Sequence, residues 1–477
     1  MITEDNRLRI IKTVATLRNF TAAAKELGIT QPAVSQCIAE MEKALDIKLF
    51  ERSRIGVFPT AECEKFLTHA ENILSEYKKI ELDFKKKDSL LIKNVLHNSV
   101  KTNILIENKR FKAIGVPDDT PCDECIEADG LAILPSFFNT HTHAAMSLLR
   151  GYADDMELQK WLTGYIWPFE DKLGAEDIRR GSEIAIREMA ATGTTCFNDM
   201  YFEIEQTIAE IARSGMRGAI GITAMEYHSE AVTEAKRAFV RNFTDPTGGR
   251  IQLLMAPHAI YTVGEEKLKE SAAFARDNGL KIHIHVSETL KEVEDCLQKH
   301  GKRPVEYLDS IGFLGSDVIA AHCVHVNERE WDILARRGVS VAHCPCSNMK
   351  LASGRFPYEL AIKSGCRITI GTDGMSSNNN LDMREEMKFA ALLAKVNGDP
   401  VLLNAPQVLS WASVNGAEAL GIDAGVIAEG KLADCILVDL SNPKMQPCHN
   451  LISNWVYSAD SSCVAKVICD GRVIYEK

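Results

Sequence analysis

The stretch NTHTHAAMSLLRG, residues 139–151, places two histidines one residue apart at the end of an apolar run, LAILPSFF. In an extended strand residues i and i+2 share a face, so His141 and His143 point the same way. Two imidazoles aimed together from one strand end make half of a site for a divalent cation, and the rest must come from elsewhere in the chain. Further β-type runs also end in polar residues: Asp199 in TTCFNDM, His258 after IQLLMAP, His285 with Glu288 in KIHIHVSE, His322 in VIAAHC, His343 in SVAHC and Asp373 in RITIGTD. A single histidine so placed is ordinarily a hydrogen-bonded interior residue. Recurrence at successive strand ends points instead to one shared centre. His285 and Asp373 are the candidates to close the shell, because neutral imidazole suits zinc and similar first-row cations and a carboxylate can leave a position for water. His283 shares a face with His285 one pleat deeper and reads as structural, and His343 as a support behind the ligands.

The elements that must position these residues alternate. From residue 131 onward eight runs, LAILPSFF, TTCFNDM, RGAIGITAM, IQLLMAP, KIHIHVS, VIAAHC, SVAHC and RITIGTD, are separated by helical stretches. Such βα repetition predicts a parallel sheet, and eight units predict an α/β fold of TIM (β/α)8 type, whose chemistry sits at the carboxyl ends of the strands. The barrel is expected over residues 136–424. Both flanks, 88–135 and 425–477, are rich in strand-like runs such as ILIEN, CILVDL and VAKVICDGRVIYEK.

The 477 residues carry a net charge of -11, yet residues 1–87 hold 15 basic against 13 acidic side chains while the remainder holds 40 against 53. Only the leading segment is electrostatically suited to a polyanion. Within it FTAAAKELGITQPAVSQCIAEMEKAL reads as helix, turn, helix: Gly28 stops the first, Thr30 caps the second and Pro32 sits in its first turn. The second helix would enter a major groove, although Gln36 and Cys37 occupy its reading face. IKLFERSRIGVFPT alternates as a small wing, with Arg52 and Arg54 placed for phosphates. Phe66, Ala70, Ile73, Tyr77, Ile80 and Phe84 then recur at steps of four and three, the seam of a dimerisation helix ending at FKKKDS. The expected order is thus a winged helix-turn-helix over 1–60 and a linker helix over 61–87.

No window holds the roughly 20 apolar residues that span a bilayer, which predicts no membrane partner. The acidic start MITEDNRLRI lacks the basic and apolar regions of a secretory signal, and the 14 cysteines show no repeating framework, so a cytoplasmic protein with reduced thiols is expected. His69-Ala70-Glu71 and the PCDEC at 121–125 mimic the HxE and PCxxC of cytidine-deaminase zinc sites. Ala70 belongs to the helix seam and His69 to the same helix, and PCDEC falls beyond a domain boundary.

Taken together, HTH on the first strand, HIHVSET on the fifth, HCVH on the sixth, HCPCSNMKLASG on the seventh and GTDGMSSNNNLDM on the eighth resemble the amidohydrolase superfamily. With PFEDKL and PHAIYT, the similarity narrows to the methylthioadenosine/S-adenosylhomocysteine/5′-deoxyadenosine deaminases. Residues 1–87, with LFERS, resemble the DNA-binding domain of LysR-type regulators. The resemblance implies a small β-sandwich from the two flanks, and one divalent ion, zinc or iron(II), held by His141, His143, His285 and Asp373. It further implies catalytic roles for Glu288, His322 and Asp373, ribose contacts from Glu170 and nucleoside contacts from His258 and Glu288. The implied reaction turns an adenosine-type nucleoside into its inosine analogue and ammonia, in a homodimer or homotetramer that also binds DNA. Members that accept S-adenosylhomocysteine often carry an Arg shortly after a GMR segment, but residues 218–224 here read GAIGITA, which favours a small or apolar 5′ group. Two rivals remain open: a barrel acting on guanine, pterin or triazine rings, and a regulator whose barrel senses a purine.

Overall fold

The structure, a computed structural model, describes residues 6–53, 56–83, 88–396 and 398–477. The chain divides into two compact units, the first ending at Lys87 and the second beginning at Asp88.

In the first unit α1 (Asn6–Leu17), α2 (Phe20–Leu27) and α3 (Gln31–Leu45) precede a hairpin of β1 (Phe50–Ser53) and β2 (Gly56–Pro59) and the long α4 (Ala61–Asp83). Asn19 caps α2 by accepting from the Thr21 and Ala22 N–H groups, and Gly28 ends it in the left-handed region at φ 64°. Thr30 caps α3 through the Ala33 N–H, with Pro32 in the first turn, where its missing donor costs nothing. Ile11, Val14, Ala23, Val34 and Leu49 are wholly buried and fix α3 across α1 and α2. Of the seam residues, Ala70 is buried while Ile73 is exposed. Arg54 and Phe84 lie outside the described residues, as do the side chains of Arg52, Tyr77 and Ile80.

The second unit holds two eight-stranded sheets. One is parallel, running in strict chain order through β8 (Phe137–Thr142), β9 (Thr194–Tyr201), β10 (Arg217–Ala224), β11 (Ile251–Pro257), β12 (Lys281–Val286), β13 (Val318–His322), β14 (Ser340–His343) and β15 (Arg367–Ile370). Helices alternate with these strands, giving a nearly closed barrel of TIM type. The last and first strands meet through the Asp373 N–H, which donates to the His141 carbonyl at 2.9 Å, and through Thr140 Oγ1, which lies 2.7 Å from Thr369 Oγ1.

The other sheet runs β18-β17-β16-β7-β3-β4-β5 with β6 beside β3, and joins both flanks of the barrel. Here β3 is Ser89–His97, β4 Val100–Glu107, β5 Arg110–Ile114, β6 Glu124–Glu127, β7 Leu131–Pro135, β16 Cys435–Asp439, β17 Val464–Cys469 and β18 Arg472–Glu476. Its inner face packs a core of its own around Ile92, Ile104, Phe111, Leu437 and Ile468. The expected sandwich is therefore one continuous hydrogen-bonded sheet. LAILPSFF, read above as the first barrel strand, is divided: Leu131–Pro135 pairs with β16, and the barrel strand starts at Phe137. Pro135 has no N–H to continue a ladder, and Ser136 turns its hydroxyl 2.6 Å from Thr195 Oγ1 at the junction. Arg217 joins barrel to sheet: wholly enclosed, it donates to Asp434 Oδ2 at 2.7 Å and Asp470 Oδ1 at 2.7 Å. No helix among the described residues is long and apolar enough to cross a membrane.

Candidate active site at the barrel mouth

The carboxyl ends of the barrel strands open into a cavity of about 670 Å³ lined by His143, His258, His285, Glu288, His322 and Asp373, with Glu170 on its wall. His141 lies directly behind, fully buried. The fold thus brings to one end of the barrel all eight side chains singled out for binding or catalysis.

Hydrogen bonds at one edge of each ring decide what the other edge offers. His143 Nδ1 lies 2.6 Å from the Met200 carbonyl and His285 Nδ1 2.7 Å from the His258 carbonyl. A carbonyl only accepts, so both rings carry a proton on Nδ1, and a neutral ring so held presents its lone pair at Nε2. Those two Nε2 atoms face each other at 3.4 Å. Two lone pairs at that separation repel unless a positive charge lies beside both.

Asp373 Oδ1 adds a third acceptor, 3.3 Å from His143 Nε2 and 3.4 Å from His141 Nε2, and the latter nitrogen is buried without a hydrogen-bond partner. His141, His143 and Asp373 offer atoms all within 4.8 Å of one another, and so do His141, His285 and His322. Burial holds His141 near a pKa of about 4 and pushes His285 well below its ordinary value, keeping both rings in the neutral, ligating form. The donor set therefore fits a divalent cation of the kind that nitrogen and oxygen ligands hold in an open shell.

Of the supports behind these candidate donors, only His283 was legible in the one-dimensional pattern. His141 Nδ1 lies 2.9 Å from His283 Nε2, and the His283 Nδ1 lies 2.9 Å from the Asn198 amide. Asp373 is held by the Ser347 and Ser377 hydroxyls, which both donate to Oδ2 at 2.6 and 3.0 Å, and by the Gly374 N–H, which donates to Oδ1 at 2.8 Å on the side facing the histidines. Its backbone sits at φ 62°, a left-handed conformation that costs a non-glycine residue energy and is stabilised by its N–H bond to His141. Gly371 permits that approach, since a Cβ there would lie 2.8 Å from the His141 Cβ.

Glu288 and His322 line the cavity as a carboxyl and an imidazole facing each other. Glu292 accepts the Ser287 and Glu288 N–H groups at 2.8 and 2.9 Å and so fixes the turn that carries Glu288. Burial raises the Glu288 pKa, with Asp373 adding to the effect and His322 opposing it. His322 Nδ1 is bonded to Asn348 Oδ1 at 2.8 Å, which turns Nε2 toward Glu288 Oε2, 4.0 Å away. Burial draws the His322 pKa down, but Glu288 and Asp373 outweigh it and the result is raised.

Glu170 ends a helical segment of unusual pitch. Leu158–Trp161 and Trp167–Glu170 are α-helical, but Leu162–Ile166 between them is a π-helix. Pro168 cannot donate back into this segment, and the widened turns accommodate it. Tyr201, at the end of β9, donates to Glu170 Oε1 at 2.6 Å. Two strand-end residues stay out of the cluster. His343 does not back the ligands as expected: its Nε2 lies 2.8 Å from the Tyr358 hydroxyl and its ring stacks on Phe356, because β14 turns it into an aromatic pocket of its own. Asp199 accepts the Ala144 N–H and the Thr142 hydroxyl, anchoring the chain on either side of His143.

Residues 6–64 match the family described as bacterial regulatory helix-turn-helix protein, lysR family. A 5′-deoxyadenosine deaminase of Methanosarcina mazei is 44% identical over 382 residues, covering 79% of this chain and 88% of that protein. A 5-methylthioadenosine/S-adenosylhomocysteine deaminase of Archaeoglobus fulgidus is 44% identical over 380 residues, with 79% and 90% covered. Among solved structures, a zinc-bound adenosine deaminase of Xanthomonas campestris superposes with a TM-score of 0.75 at 33% identity, covering 81% of this chain and 92% of that one. Residues 132–474 match the amidohydrolase family, and with relatives this similar over most of its length the chain belongs to that family.

Proposed function

We propose that the protein is a metal-dependent hydrolytic deaminase that converts an adenosine-type nucleoside (5′-deoxyadenosine, methylthioadenosine, adenosine or S-adenosylhomocysteine) to the inosine analogue and ammonia. The observation that carries this reading is the pair of bare Nε2 atoms facing each other at 3.4 Å beside Asp373, inside a cavity that also holds a buried carboxyl and an imidazole for proton transfer. His141, His143, His285 and Asp373 would hold one zinc ion, which supplies a water made acidic enough to attack at neutral pH. Attack at C6 of the purine places a proton demand on the ring nitrogen beside it. Glu288, whose pKa burial raises, would meet that demand. Asp373 would take a proton from the water and pass it to the departing amine as the C6–N bond breaks. His322, whose pKa is raised by Glu288 and Asp373 against burial, would face the charge that develops on oxygen. Glu170 would accept from the ribose hydroxyls, and His258 would contact the nucleoside.

Ammonia release by zinc-loaded, metal-quantified protein from a panel of 5′-substituted adenosines tests this reading. Activity is expected on at least one of them, with loss on chelation, recovery with zinc, and a loss exceeding about 1,000-fold in Asp373→Asn. Inactivity on every adenine nucleoside, with turnover of guanine or a triazine instead, would move the reaction to another ring.

The capped α2–α3 pair and its match to regulatory proteins favour a second, compatible property: DNA binding by a cytoplasmic homodimer or homotetramer. Retardation of the gene's own upstream DNA at low salt is expected, weakening as salt rises because phosphate contacts release counterions. Nucleoside that leaves DNA affinity unchanged would separate the two functions.

A further inference from the structure

A buried carboxyl on the helix after the eighth strand takes no part in the proposed chemistry. Glu386, on the helix Met383–Leu393, is wholly enclosed, and among the described residues no cation pairs with it. It accepts the Cys346 N–H at Oε2 (3.0 Å) and the Asn378 amide at Oε1 (2.7 Å), and the Cys346 thiol bonds to it as well. These three bonds favour the carboxylate, but burial outweighs them and lifts its pKa to about 8. The Asn378 amide spends its second hydrogen on the Thr372 carbonyl at 2.8 Å, so the same side chain also reaches the residue before Asp373.

Both ends of this clamp fall beside supports of the candidate metal centre. Cys346 precedes Ser347, and Asn378 follows Ser377. Those two serines are the hydroxyls that hold Asp373 Oδ2, at 2.6 and 3.0 Å. Asn348, one residue further on, accepts from His322 Nδ1 at 2.8 Å. One carboxyl therefore joins the two segments that set the Asp373 carboxylate and the His322 ring, and it grips the immediate neighbour of each serine. Lys350, at the other end of the helix Pro345–Lys350, ties the same segments at Ser376 and Asn379, but it is partly exposed and is shared with Asp154. Glu386 is not part of the cavity wall, so its influence passes through these neighbours. Taking an acceptor out of the clamp leaves enclosed donors unpaired, which costs more than the bonds themselves contribute.

We infer that Glu386 is a positioning residue for the metal centre: by fixing Cys346 and Asn378 it holds Ser347 and Ser377 on Asp373 Oδ2 and Asn348 on His322, and so keeps Oδ1 turned toward the histidines. This rests on the metal-dependent reading of the cavity. Glu170 and His258 belong to the segments between β8 and β9 and after β11, away from this clamp along the barrel, so the proposed grip on the nucleoside is left intact.

The test measures zinc affinity by competition with a chelating dye, and kcat and KM for ammonia release from 5′-deoxyadenosine under zinc saturation, in full-length wild type, Glu386→Gln, Ser347→Ala and the double variant. Glutamine keeps the shape but turns one oxygen into an NH2 group that faces donors. Zinc affinity and kcat are each expected to fall about 10-fold in Glu386→Gln, the lower end of the loss seen when an outer partner of a ligand is removed, with KM within about 2-fold of wild type. Because Glu386 acts through Ser347, the double variant is expected to lose less than the product of the two single losses. A merely structural role would reduce the amount of folded protein and leave the zinc affinity of the remainder unchanged. Wild-type zinc affinity in Glu386→Gln, or losses that multiply in the double variant, overturn the assignment. If Glu386→Gln does not fold, Asn378→Ala keeps the Cys346 half of the clamp and takes its place; weaker zinc binding is again expected, and wild-type affinity overturns the assignment. Wild type that holds zinc but releases no ammonia from any adenine nucleoside overturns the deaminase reading, and the zinc affinities then decide the role of Glu386 by themselves.

Discussion

Replacing Tyr201 by Phe removes one hydroxyl and leaves the ring packed, so it isolates the hydrogen bond to Glu170 Oε1. At 2.6 Å to a carboxylate the bond is charge-assisted, and bonds of this kind contribute about 1.5–3 kcal/mol. Glu170 lines the cavity, so water can replace part of the loss, and the lower end of that range applies. About 1.4 kcal/mol corresponds to one pKa unit. Burial already raises the Glu170 pKa, and the Tyr201 bond is the larger of two influences opposing it, His143 being the other. Without the hydroxyl the carboxyl protonates at a pH about one unit higher. If the ionised carboxylate accepts from ribose, kcat/KM falls on the acid side as Glu170 protonates, and in Tyr201→Phe that fall begins about one unit nearer neutrality. The assay is the pH dependence of kcat/KM for ammonia release from 5′-deoxyadenosine and from an analogue lacking both ribose hydroxyls. Coincident acid limbs in wild type and variant would refute the coupling. Equal losses on the two substrates would refute the ribose contact.

Two further outcomes follow from other contacts. His283→Phe leaves His141 Nδ1 without its partner, and zinc affinity measured by competition with a chelating dye is expected to drop about 10- to 100-fold, as when outer ligands are lost elsewhere. Arg217→Met strands Asp434, which is 0% exposed, without its counter-ion, while Asp470 keeps Lys109 at 2.8 Å; urea unfolding should register a loss of about 3–5 kcal/mol, and less than about 1 would mean that the junction is carried by packing alone.

The strand ends were legible because each apolar run stops on a side chain too polar for a core, and because an HxH doublet obeys the two-residue period of a strand. The split at Pro135 was not, since both halves of LAILPSFF are equally apolar and only their partners, β16 and β9, tell them apart. Nor could the pattern place His343, which ends its strand as the ligands do but meets Tyr358 and Phe356 in a pocket assembled from a later segment. The carbonyls of Met200 and His258, which settle the tautomers of His143 and His285, belong to residues whose side chains give no hint of the task.

The single backbone bond from Asp373 to His141 spans 232 residues of chain and closes the ring at the place where the donors gather. During synthesis, the half of the centre contributed by HTH must wait for GTDG to emerge, and the sheet under the barrel waits longer still, for β18 at residues 472–476. The leading head, by contrast, is complete by residue 83. A ribosome that stalls midway would release a chain without Asp373, so the four candidate donors come together only after nearly all of the barrel has been made.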